Sequence, residues 1–242
     1  MAAPRRERAP QRPGSSLVSN RRVSRAVLAG RHGMQTGVWF HVTTFERAGT
    51  LRREGIRRCG DVDDAAQASW VDPDVVYVWP TEDAARDWVA FRRDNGYGGR
   101  SYHRYEVVAV NARPDECVVS PDNEDFGGLV GAWAGERYSS EPWPSSDELD
   151  SAEFYRSLLD VAGDDGVTLG AWLDEHGDSA YWDFDEDADE SEQTDDRVAA
   201  SRMLRVMPDG LRRALAERYA QEGRAVMLFT AIPASRVCEL DD

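Results

Sequence analysis

Lysine is absent from this 242-residue chain, so all 29 of its basic residues are arginine, set against 45 acids for a formal net charge of −16. No lysine chemistry is open to it. Cysteine is scarce: Cys59, Cys117 and Cys238 stand singly and far apart. That spacing excludes a CxxC pair, a zinc ligand set and a disulfide framework, and buried thiols are expected instead. No apolar run approaches the roughly 18 residues of a membrane span, and no apolar stretch follows the basic N-terminus as a secretion signal requires. These absences lead us to expect a soluble, cytoplasmic protein without a membrane partner. What is present is 41% apolar residues with eight tryptophans, enough to build a core.

The charge divides the chain into two physically different parts. Residues 1–33 hold eight arginines and one glutamate among prolines and serines, with no periodic apolar pattern. We read this head as disordered, with Met34 a candidate start; a nucleic-acid-binding arm is the functional alternative, since phosphate pairing needs only cations. The remainder, 34–242, is a lysine-free acidic body of the kind found in salt-adapted proteins, cellular or viral, where salt screens self-repulsion. An acidic interaction protein that mimics nucleic acid is the alternative this charge suggests. Residues 174–196 are the acidic extreme. Asp183, Asp185, Asp187 and Asp189 alternate as calcium-loop ligands do, but Ala188 stands where the sharp-turn glycine belongs and Thr194 where the closing glutamate belongs. No metal site is assigned.

Hydrophobic periodicity supplies the elements. Val38, Phe40 and Val42 alternate with Trp39, His41 and Thr43, which predicts a short buried strand carrying an imidazole and a hydroxyl on one face. Either the pair is a ligand contact, or it is a satisfied core histidine beside a helix-capping threonine. Thr43 and Glu46 form a capping box for a helix that Gly55 stops. Val75–Trp79 reads as a strand ended by Pro80, Thr81 caps a helix to about Arg93, and strands follow at Tyr105–Val110 and near Val118 and Val119. Beyond lie helices after the Ser145/Glu148 box, at Thr168–His176 before Gly177, and at about 195–206 and 211–221; Arg224–Ile232 closes as a strand. The expected class is α+β, one domain whose mixed sheet is interrupted by a helical, acidic insertion at about 125–222.

Several of these features occur together in order. His41-Val42-Thr43, a helix closing on Gly55-Ile56, the strand Val76-Tyr77-Val78-Trp79, and a helix from Ala84-Ala85 to Trp88 resemble the ADP-ribosyltransferase superfamily of the diphtheria-toxin and poly-ADP-ribose polymerase type. The resemblance covers roughly 38–110 and includes the eleven-residue separation of Tyr77 from Trp88. It implies a split-sheet core, NAD as substrate, and transfer of ADP-ribose to a protein or nucleic-acid target. His41 would hold a ribose, Thr43 would support the nicotinamide side, the backbone of Val42 would pair with the carboxamide, and Tyr77 and Trp88 would sandwich the ring. The family's late-strand glutamate falls here on Arg224 or Ala225. Glu222 lies two or three residues earlier and is the candidate catalytic carboxylate, with Glu124 and Asp125 as the other acids. A degenerate domain that binds nucleotide or a partner without catalysis is the alternative.

Overall fold

A computed structural model describes residues 22–24, 33–57, 75–94, 104–113, 117–138, 149–181 and 196–241. The fold starts from the alternation the sequence shows. Strand β2 (Val38–Thr44) sends Trp39 into one apolar cluster and Phe40 into another on the opposite face. Trp39 is fully buried, and its indole N–H donates to the Ala112 carbonyl at 2.8 Å. Preceding it, the short helix α1 (Gly33–Thr36) needs its first residue to be glycine, because a Cβ there would lie 2.5 Å from the Trp39 ring.

Helix α2 (Phe45–Glu54) follows β2 at once, but its N-cap is Thr44, with no side-chain capping bond. The Thr43/Glu46 capping box is therefore corrected. Antiparallel pairing with β4 (Tyr105–Asn111) sets Thr43 opposite Glu106 and Thr44 opposite Tyr105, which holds Thr43 inside the extended ladder. Gly55 does end the helix, as expected. Strand β3 (Val76–Val78) and helix α3 (Glu82–Asp94) come next, and Thr81 Oγ1 accepts from the Ala84 N–H at 3.1 Å to open α3. Strand β5 (Val119–Pro121) leads into α4 (Asn123–Tyr138), then α5 (Leu149–Leu159), α6 (Leu169–Tyr181), α7 (Asp196–Val206) and α8 (Asp209–Gln221). The chain closes with β6 (Val226–Leu228), a 3-10 turn at Ala234–Arg236 and β7 (Val237–Asp241).

Two expectations for the helices change. Gly177 does not stop a helix; it lies inside α6, where a Cβ would meet the Trp133 ring at 2.5 Å, so the glycine serves helix packing. The sequence reading named no helix at α4, whose apolar residues lie all around it rather than in a stripe. Phe126, Leu129 and Val130 are fully buried, as suits a helix at the centre of the core.

The strands form two small, mainly antiparallel sheets, so the class is α+β. One has the order β1-β7-β4-β2 and the other β3-β6-β5, where β1 (Arg22–Ser24) pairs in parallel with β7. Those three residues correct the reading of 1–33 as wholly disordered, because the outer edge of β7 offers backbone groups that a further strand satisfies. The final strand expected at Arg224–Ile232 shrinks to β6, and Ile232 instead exchanges backbone bonds with Ile56. The rest of the arginine-rich head, Cys59, the Ser145/Glu148 box, and the acidic loop with Asp183, Asp185, Asp187 and Asp189 lie outside the described residues. Among the described residues no helix is long and apolar enough to cross a membrane.

Candidate functional site

The two sheets meet at one residue pair. The Phe40 N–H donates to the Trp79 carbonyl at 2.9 Å and the Trp79 N–H donates to the Phe40 carbonyl at 2.8 Å, an isolated antiparallel bridge between β2 and the end of β3. In a continuing ladder the next bonded pair would be Val42 with Tyr77, two residues along each strand. His41 intervenes there. Its Nδ1 lies 2.9 Å from the Tyr77 carbonyl oxygen, which takes the place of the ladder bond and leaves the strands parted. Because a carbonyl only accepts, Nδ1 carries the proton, and Nε2 of the neutral ring is an acceptor. The ring is only partly exposed and densely surrounded, and that desolvation lowers its pKa below the ordinary 6.5, although the bond to Tyr77 works against it. At neutral pH His41 is uncharged.

Val42 completes this parting. Its backbone N–H and C=O point the same way as those of Phe40, toward β3, and among the described residues no backbone group bonds them there. Its side chain shares a cluster with Phe40, Trp79 and Ala85, against which both Tyr77 and Trp88 pack. The Tyr77 hydroxyl donates to Asn123 Oδ1 at 2.8 Å, and Asn123 Nδ2 donates to Ser201 Oγ at 3.0 Å, so α4 and α7 fix the ring. The Trp88 ring lies 4.9 Å from that of Trp79, tilted by 49°, and meets Tyr105 edge-on at 6.2 Å. Val42, Tyr77 and Trp88 thus pack against one cluster beside the parting, while His41 reaches the Tyr77 carbonyl from the opposite face of β2. Thr43 shares the His41 face of β2, as the alternation predicts, and is buried there across from Glu106 in the ladder.

Glu222 caps the end of α8 beside the start of α3, where the Gly223 Cβ position is 3.7 Å from the Ala84 methyl. Its carboxylate pairs with Arg218 Nη1 at 2.9 Å, and its side chain is 44% exposed. Arg224, the residue at the late-strand position, donates from Nη1 to Asp125 Oδ2 at 2.9 Å and stacks on Phe154 at 4.1 Å. Beside this pair the Tyr219 hydroxyl is buried without a hydrogen-bond partner among the described residues. Burial, then the Asp125 charge, push its pKa well above the ordinary tyrosine value. The sequence reading missed Asn123, Ser201 and the anchoring of Arg224. Asn123 carried the one legible signal, a helix-initiating residue type just after Pro121 and Asp122. Comparison with family models, with curated proteins and with solved structures finds no match to this chain, so its own geometry carries the functional reading.

Proposed function

We propose that this chain is an ADP-ribosyltransferase-like protein that binds NAD in the parting between its two sheets. One observation carries the reading: the neutral imidazole of His41 occupies the rung where β2 and β3 would otherwise pair. Its Nε2 is then an acceptor suited to a ribose hydroxyl, and the N–H and C=O of Val42, unpaired toward β3 among the described residues, match the acceptor and donor of a carboxamide. Tyr77 and Trp88 both pack against the Phe40–Trp79 cluster, Tyr77 against the main core as well, and aromatic side chains there suit a flat, electron-poor ring such as nicotinamide.

Two forms of this reading differ in whether a bond breaks. Transfer of ADP-ribose to a protein or nucleic-acid target needs a carboxylate beside the ribose to favour an oxocarbenium-like state. Here Glu222 is engaged by Arg218, and the late-strand position carries Arg224, whose positive charge opposes such a state. These ion pairs favour binding without transfer. The test is a calorimetric NAD titration run beside an assay of nicotinamide release. Saturable NAD binding that His41→Ala and Trp88→Ala each weaken by tenfold or more, without nicotinamide release, is the expected result. A wild type with no NAD affinity overturns the reading, whereas release that is abolished in Glu222→Gln restores the transfer form.

A further inference from the structure

A cleft of about 400 Å³ opens where α2, α3, β4 and β7 converge. Its polar lining is Arg52, Arg86, Arg93, Tyr105 and Glu106, and the three arginines pair with the carboxylates of Glu106, Glu82 and Asp94. Val89, Val107 and Leu240 form an apolar wall beside them. Three guanidinium groups thus stand around one opening, and guanidinium forks suit the oxygens of phosphate.

The partners these arginines already have do not exhaust them. Arg86 binds a single oxygen of Glu82, one turn back on α3, through Nε at 2.8 Å and Nη2 at 2.5 Å. Among the described residues Arg93 bonds its neighbour Asp94 at 3.1 Å, and both of those side chains are about two-thirds exposed. Water screens the exposed Arg93–Asp94 pair, so an anion competes with it readily, whereas Arg86 keeps a half-exposed guanidinium on a mostly buried Glu82. Arg52 differs. It engages Glu106 through Nη2, while its Nε–H is buried and has no hydrogen-bond partner among the described residues. A buried donor without a partner is costly to keep, and an incoming oxygen would satisfy it.

We propose that this cleft binds a small molecule bearing a diphosphate, with Arg52 supplying a buried donor and Arg86 and Arg93 the flanking charge. A diphosphate has enough oxygens to meet more than one fork, and the apolar wall accommodates the organic part that carries it. The proposal rests on the lining of this cleft and is independent of the NAD reading at His41.

The test uses the full-length chain and inorganic pyrophosphate as probe, measured by titration calorimetry at about 0.15 M salt so that long-range repulsion by the acidic surface is screened. Pyrophosphate is expected to bind one to one. The double substitution R86Q/R93Q, on two exposed side chains, is expected to weaken it tenfold or more, and Glu106→Gln to tighten it. His41→Ala is expected to leave it unchanged. Absence of binding in the wild type, or equal affinity in R86Q/R93Q with circular dichroism unchanged, overturns the proposal. So does a tetraglutamate peptide that binds as tightly as pyrophosphate, because the cleft would then be a protein-docking surface.

Discussion

Replacing Gly55 by alanine tests the geometry that closes α2 onto the end of the chain. Gly55 has φ 87° and ψ −178°, a region almost confined to glycine, where another residue costs about 1–3 kcal/mol. Space adds a second term. An alanine Cβ would lie 2.2 Å from the Ile232 carbonyl oxygen and 2.8 Å from the Ala234 nitrogen, so the backbone at 232–234 must shift. That shift strains the reciprocal bonds Ile56 N–H to Ile232 O at 2.7 Å and Ile232 N–H to Ile56 O at 2.8 Å, each contributing about 1 kcal/mol. Together these predict a loss of about 3–5 kcal/mol, a large share of the roughly 5–15 kcal/mol that holds a domain folded. Urea unfolding followed by tryptophan fluorescence measures it, with Gly49→Ala as control. Gly49 is inside the same helix with open space around it, and that change is expected to stabilise by about 0.5–1 kcal/mol. If Gly55→Ala falls within about 1 kcal/mol of wild type, the argument from φ and contact is wrong.

Burial of His41 depresses its pKa, so the native state resists a proton that the unfolded chain takes up near 6.5. Stability should fall as pH drops below that value and stay level in this contribution above it; a His41→Gln variant should lose that dependence in pH-resolved urea titrations. Gly177→Ala should destabilise by about 1–3 kcal/mol despite the better helix propensity of alanine, because the Trp133 ring occupies the added methyl's place, and thermal unfolding reads this directly. Tyr77→Phe should cost about 1 kcal/mol by leaving Asn123 Oδ1 without its donor, and a double-mutant cycle with Asn123→Ala should recover that coupling. Glu222→Gln should change stability by less than about 0.5 kcal/mol, since its pair with Arg218 is surface exposed.

Much of the sheet and its flanking helices was legible because short-range rules decide them. Alternation from Val38 to Thr43 located β2 to within a residue, and Thr81 marked the start of α3 by its own hydroxyl. What resisted reading depends on distant partners. Thr43 looks like a cap until pairing with Glu106 holds it in the strand, and Gly177 looks like a stop until Trp133 is seen to need the space. β7 has no strong pattern of its own and is defined by Ala109 and Val110 across the ladder. At the candidate site the alternation placed His41 and Val42 on opposite faces of one strand, and β3 brings the Tyr77 carbonyl to the His41 ring. It could not show that Arg218 occupies Glu222, or that Arg224 and Asp125 find each other across 99 positions.

The imidazole bond to Tyr77 makes His41 a wedge in the seam between the sheets. Without the ring, Val42 N–H is free to close on the Tyr77 carbonyl and zip the strands one rung further, a gain of about 1 kcal/mol. The proposed ligand contact and the stability of the seam would then be set against each other at a single side chain. A screen for thermostability would tend to discard His41, and the variants it selected would have a seam sealed one rung further.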